Sequence, residues 1–288
     1  MAVDKISDHY VTVNGIKLHY VRQGAGEPLM LIHGWPGFWY EWHHNIGPLA
    51  EHFDVIVPDM RGFAYSDKPD VAPEAGYTDT HYAEDIRAFL DFHQFDKIRI
   101  VTHDAGYYWA RRFARMYPGR MHKLVLFNPA HPGLGMRPFE FPQVMNYWYQ
   151  FFHQLPWAED LVGATRGTIE MYLRHFLSAW AARSDVWTDD DIKAYVDAYS
   201  QPGALRGGFN GYRALYRVGV QTSGDLAIEM PTLILWGASD SIMPFAWSDR
   251  IPEFFPNSTL KRIEGVGHFM MREDPDRINK EIIDFLKG

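Results

Sequence analysis

The chain has 288 residues, 47% hydrophobic and 22% charged, a balance that suits a folded protein with a full core and excludes disordered and collagen-like classes. A formal net charge of −8 without any long Lys/Arg run argues against nucleic acid as a partner. There is no cysteine, so disulfide and thiol chemistry are excluded and a reducing cytoplasm is the expected location.

The N-terminal "MAVDKISDHY" lacks the apolar centre of a signal peptide, and runs such as "PLMLI" are too short to span a bilayer, so no membrane partner is expected. The first predicted element is a hairpin: "YVTVNGIKLHYVRQG" alternates around Asn14-Gly15, a pair that favours tight two-residue turns. Short aliphatic runs follow, "PLMLIHG", "DVIVPD", "IRIVTHD", "KLVLFNPA" and "PTLILWG", whose length suits strands buried on both faces. Amphipathic segments of helical length separate them, among them Thr80 to Phe95 and Ala105 to Tyr117. Such alternation predicts an α/β fold with a mostly parallel sheet, whose ligands bind beyond the carboxyl ends of the strands.

The alternation stops after residue 131. From 132 to 224 the chain is aromatic and helical in period, as in "RGTIEMYLRHFLSAWAA" and "TDDDIKAYVDAYS". The predicted organisation is a core of 1–131 and 225–288 interrupted by a helical cap, or lid, at 132–224.

Four short stretches at element boundaries carry candidate chemistry. In "VTHDAGYYW" a strand turns sharply into a helix with Asp104 at the turn, the context of a nucleophile elbow. By itself Asp104 is equally a helix cap. "HGWPG", His33 to Gly37, is a turn whose backbone N–H groups could hold an oxyanion, or simply a Gly/Pro turn. "LWGASD" sets Asp240 just after a buried strand, and "GVGHFMMREDP" sets His268 before the last helix. The order nucleophile, acid, histidine is that of α/β-hydrolases. Fourteen histidines raise a metal site, but only His43 and His44 are adjacent, and helix neighbours point apart. Neither a metal nor a cofactor is expected.

From "HGWPG" through "DMRGFAYSDKP", "THDAG", "WGASD" and "GHFMMREDP", the chain resembles epoxide hydrolases of the α/β-hydrolase fold, relatives of haloalkane and fluoroacetate dehalogenases. Within the cap, "WYQFFHQL" and "GGFNGYRA" are similar to the segments bearing that family's two epoxide-activating tyrosines. The resemblance implies Asp104 as nucleophile, His268 and Asp240 as the water-activating pair, and Tyr149 and Tyr212 as acids. It also implies backbone N–H groups of Trp35 and Ala105 as the oxyanion hole, a cis Trp35-Pro36 bond, and a pocket walled by His33, Trp35, Pro36, Ala105 and Trp148. The partners it implies are a small-molecule epoxide and water, with the chain a monomer or homodimer. An aspartate suits this chemistry, because a carboxylate displaces at an sp3 carbon and leaves an alkyl ester, whereas serine alkoxides suit acyl carbons.

Some positions depart from the family pattern. Ala105 stands where relatives usually carry tryptophan or phenylalanine, which leaves room beside the nucleophile. It also weakens the alternative reading as a haloalkane dehalogenase, which needs an indole there for the departing halide. Fluoroacetate dehalogenases carry arginines where this chain has Ala105 and Tyr108. Thr102 replaces a common glycine, Ala64 a frequent one, and Tyr107 a small residue, which is expected to alter pocket shape. A hydrolase-fold small-molecule sensor is the alternative from a different class. It would need the pocket but not the two phenols.

Overall fold

The computed structural model describes residues 6–183, 185–219 and 227–288. Its centre is an eight-stranded sheet in the order β1-β2-β4-β3-β5-β6-β7-β8. The strands are β1 (Ser7–Val13), β2 (Ile16–Gly24), β3 (Pro28–Ile32), β4 (Asp54–Pro58), β5 (Ile98–His103), β6 (Met121–Phe127), β7 (Thr232–Gly237) and β8 (Ser258–Ile263). Only β2 runs against its neighbours; every pair from β4 to β8 is parallel. The β1–β2 turn is the expected two-residue one, with Asn14 and Gly15 at φ 48° and 75° and Val13 paired to Ile16.

The aliphatic runs became strands because both their faces are covered. All five residues of β4 are buried, as are Leu29 to Ile32 of β3, and each such aliphatic side chain contributes about 1.5–3 kcal/mol on leaving water. Two helix pairs cover the sheet: His43–Ala50 packs with Pro275–Lys287, and Asp79–Phe92 with Gly106–Met116. The helix expected over Thr80 to Phe95 ends at Phe92, because Gln94 takes a left-handed φ of 57°. Strand β8 was not anticipated. It is an edge strand with four of its six residues exposed, Lys261 and Arg262 among them, so it lacks an aliphatic run, and the charges protect the open edge from further pairing.

Among the described residues no strand lies between Phe127 and Thr232. The main helices there are Trp148–Phe152, Arg166–Trp180, Asp189–Tyr199 and Ala204–Val218. Thr165 and Thr188 each start a helix by accepting a backbone N–H three residues on while receiving a side-chain contact in return. The helix Ala204–Val218 is seated directly on the core, since a Cβ on Gly207 would fall 2.1 Å from the carbonyl oxygen of Gly62. Only glycine permits that approach, and it seats the helix that carries Tyr212 five residues further on. The expected boundary between 224 and 225 lies outside the described residues. Among the described residues no helix is long and apolar enough to cross a membrane.

Candidate active site

Strand β5 ends at His103, and the helix Gly106–Met116 begins three residues later. Asp104 between them has φ 48°, a conformation L-residues avoid and one that recurs where a side chain must be aimed. It does not cap the helix: Ala105 is the N-cap residue and no side-chain capping bond forms. The Asp104 carboxylate instead accepts the Trp35 N–H at Oδ1, 2.9 Å away. That contact requires Gly34, whose Cβ would lie 2.3 Å from Asp104 Cβ and 2.9 Å from the Ala105 nitrogen. The Trp35–Pro36 bond is cis, as is Phe141–Pro142.

His268 and Asp240 complete the group. Asp240 Oδ1 accepts the N–H groups of Ile242 and Met243, both at 2.8 Å, and its Oδ2 lies 2.8 Å from His268 Nδ1. The opposite ring nitrogen, Nε2, is 3.5 Å from Asp104 Oδ2, an electrostatic contact too long for a good hydrogen bond. Burial disfavours the charged His268, but Asp240 and Asp104 outweigh it and push its pKa up to about 10. Burial likewise disfavours ionised Asp104, yet His268, His103 and the Trp35 amide together hold its carboxyl below the usual range. The resting pair is therefore carboxylate and imidazolium.

Tyr149 and Tyr212 line a cavity of about 390 Å³ together with Asp104 and Ala105. Their rings meet edge to face at 5.5 Å, and Tyr149 stacks on Trp35 at 5.2 Å. Burial, with the Asp104 charge adding to it, raises both phenol pKa values and keeps them protonated. Gln150 Nε2 donates to the Tyr149 oxygen at 3.1 Å, which leaves the phenol proton free to be given elsewhere. A second cavity of about 60 Å³ shares Ala105, Tyr108 and Tyr212 with the first and is walled also by Trp35 and Trp109.

Residues 27–275 match the family model of the alpha/beta hydrolase fold. The soluble epoxide hydrolase of Corynebacterium sp. (strain C12) is 32% identical over 98% of this chain and 97% of its own length. Epoxide hydrolase 1 of Caenorhabditis elegans is 30% identical over 96% of this chain and 69% of its own. Among solved structures, the epoxide hydrolase CorEH without ligand superposes with a TM-score of 0.86 at 29% identity, covering 98% and 99% of the two chains. The chain belongs to the epoxide hydrolases of the α/β-hydrolase fold.

Within this epoxide hydrolase, the structure brings Asp104, His268, Asp240, Tyr149, Tyr212, Trp35 and Ala105 to one place, while three expected pocket residues stand elsewhere. His33 is buried behind the turn, where its Nδ1 meets the Gly34 carbonyl at 2.8 Å and its Nε2 accepts the Met60 N–H at 3.0 Å. Burial lowers its pKa, so it braces the turn as a neutral ring. Pro36 shapes the turn and lines neither cavity. Trp148 is 39% exposed and stacks on Phe176 on the outside of the cap. The resemblance implied these three as pocket residues, and none of them lines either cavity.

Other participants were missed. Buried Glu41 lies 3.1 Å from His103 Nδ1, and His103 Nε2 reaches the His268 carbonyl at 3.0 Å, which places a carboxylate–imidazole pair next to the Asp104 turn. Asn128 spans Gly237 N–H and the same His268 carbonyl. Gln150 was visible only as the neighbour of Tyr149 in "WYQFFHQL". Ala64 adopts φ 38°, which explains why a glycine is frequent there.

Proposed function

We propose that this enzyme converts epoxides to vicinal diols through an alkyl ester on Asp104. The observation that carries this reading is the Asp104 carboxylate, backed by the His268–Asp240 pair, in a cavity whose wall also presents the phenols of Tyr149 and Tyr212. Oδ1 rests on the Trp35 N–H, so Oδ2 is the attacking oxygen. It forms a bond to one ring carbon, the carbon–oxygen bond of the ring breaks, and the ring oxygen takes a proton from Tyr149 or Tyr212.

Ester formation removes the negative charge beside His268. The imidazolium then loses the neighbour that stabilised it and gives up its proton, through solvent, to the tyrosinate left by ring opening; the neutral imidazole is a base able to take a proton from water, and a solvent proton returns to His268 once the carboxylate is restored. The resulting hydroxide adds to the ester carbonyl, whose oxygen already faces the Trp35 N–H; the Ala105 N–H is the second donor of the oxyanion hole, each such donor being worth about 3 kcal/mol. Collapse expels the diol oxygen, which takes the proton from His268, and the carboxylate is restored. The segment 132–224 serves as the cap that brings the acids to the face opposite the nucleophile. The two substrates of this scheme are an epoxide and water.

A single turnover in 18O-labelled water tests the scheme. The label is expected in Asp104, with the first diol carrying an unlabelled oxygen from the enzyme; label in that first diol refutes the ester pathway.

A further inference from the structure

Six tyrosines line the cavity of about 390 Å³. Tyr147 donates to the Ile242 carbonyl at 2.8 Å, and Tyr216 donates to Gln150 Oε1 at 3.1 Å. The Tyr107 hydroxyl is sealed within the protein, out of reach of anything in the cavity, and Tyr149 and Tyr212 are the proposed acids. Tyr108 differs from all five. Its side chain is partly accessible, and among the described residues its hydroxyl makes no hydrogen bond yet is not sealed off. The nearby groups whose charge raises its pKa, Asp104 and then Tyr216, line the larger cavity and not the smaller one, which places the hydroxyl on the side of the reacting carboxylate. Helix geometry agrees. Tyr108 follows Asp104 by four residues, and helical side chains lean back towards the N-terminus, so its ring covers the turn that carries the nucleophile. Burial, with the Asp104 charge adding to it, pushes the phenol pKa up and keeps it a neutral donor.

We propose that Tyr108 determines specificity by donating a hydrogen bond to an uncharged oxygen of the substrate two bonds from the ring, so that the preferred substrates are epoxides of the glycidyl ether type. The proposal rests on the epoxide hydrolase reading and names the substrate class of that same site. A donor that faces a cavity without a partner gains most from a bound molecule that brings an acceptor, and a few such polar groups orient ligands in mostly apolar pockets. Side chains one helical turn apart sit about 5–6 Å from each other. A C–C–O unit bridges such a separation, from the carbon that Asp104 attacks to an oxygen that accepts from Tyr108. The oxygen is uncharged because an anion held there would lie beside the Asp104 carboxylate, where like charges repel. The rest of the substituent runs against Leu134, Leu215, Ile242 and Met243 of the same cavity.

The test compares butyl glycidyl ether with 1,2-epoxyoctane, which differ only by an oxygen in place of one methylene, on the wild type and Tyr108→Phe. The quantity read is the ratio of kcat/KM for the ether to that for 1,2-epoxyoctane, in which the intrinsic reactivities of the two epoxides cancel between the proteins. Loss of one neutral hydrogen bond is expected to lower this ratio about fivefold in Tyr108→Phe. A ratio lowered less than about twofold overturns the proposal, because the packing of the ring, or a hold on water, would affect both substrates alike. If Tyr108→Phe does not fold, Tyr108→Met, which also lacks the hydroxyl, is read in the same way. Failure of the wild type to turn over either epoxide refutes the epoxide hydrolase reading instead. Dissociation constants of the same two compounds, measured on both proteins by ligand-observed NMR, then decide separately on Tyr108: their ratio must shift against the ether in Tyr108→Phe, and an unchanged ratio overturns the proposal.

Discussion

Asp104→Asn reproduces the electrostatic consequence of ester formation, because it removes the carboxylate charge while keeping nearly the same shape. Nε2 of His268 lies 3.5 Å from Asp104 Oδ2. At an effective dielectric of about 20, a full charge at that distance is worth about 4.7 kcal/mol, or about 3.5 pH units. If half the charge resides on the nearer oxygen, the effect is about half as large. The His268 pKa, held at about 10 in the resting enzyme, is therefore expected to fall by about 2 to 3 units in Asp104→Asn. Asp240 remains 2.8 Å from Nδ1 and prevents a larger drop.

The assay is a titration of the imidazole nitrogens by 15N NMR, with His268→Gln identifying the signal among the fourteen histidines. A titration still near the wild-type value would mean that Asp240 alone sets the protonation state. The nucleophile would then not be the switch that turns His268 into a base, and the two-step scheme would lose its internal timing.

Further outcomes follow from the same geometry. His268→Gln should accumulate a substrate adduct on Asp104, visible by intact mass; an unmodified protein that still binds substrate removes His268 from the water-activating role. Tyr149→Phe and Tyr212→Phe should each lower the single-turnover alkylation rate about 100-fold, and a loss confined to ester hydrolysis would contradict their role as acids. Ala105→Trp should fill the 60 Å³ cavity and lower kcat/KM selectively for 2,3-disubstituted epoxides relative to terminal ones; an equal effect on both would show that the cavity takes no substituent. Because the folded-state pKa of His268 is raised above its unfolded value of 6.5, its contribution to stability is complete below pH 6.5 and is lost as the pH rises through about 10. The melting temperature should fall across that window, and less steeply in His268→Gln.

Much of this arrangement was legible in the sequence because single side chains announce it locally. A strand buried on both faces must be an aliphatic run, as in "PLMLI", and a nucleophile elbow must lie between a strand and a helix, as Asp104 does. Asp240 and His268 likewise mark the ends of elements. Tyr149 and Tyr212 were legible only through the cap motifs, since an aromatic stripe by itself reads as core. What stayed hidden depends on contacts distant in sequence. Glu41 meets His103 across 62 residues, and nothing near Glu41 marks it as a buried carboxylate. The expected pocket residues His33 and Trp148 stand elsewhere for the complementary reason: they adjoin Trp35 and Tyr149 in the chain, but their side chains line neither cavity.

The missed residue Glu273 shows why acid and base cannot be treated as separate parts. Its Oε2 accepts the N–H groups of Gly267 and Ala182, both at 2.9 Å, and its Oε1 accepts that of Phe269 at 3.1 Å. Gly267 and Phe269 flank the histidine, whereas Ala182 follows the helix Arg166–Trp180. The last carbonyl of that helix, at Trp180, accepts the His268 N–H at 2.9 Å. The Trp180 ring in turn lies 5.2 Å from both the Tyr149 and His268 rings. One hydrogen-bonded junction thus fixes the end of this helix to the loop that carries His268, and the same helix end packs on Tyr149. A shift of this helix would displace Tyr149 and His268 together, in the proposed scheme the proton donor of the first step and the proton acceptor of the second. Under the proposed scheme the position of this helix therefore bears on both half-reactions, and Glu273 is one of the residues that hold it.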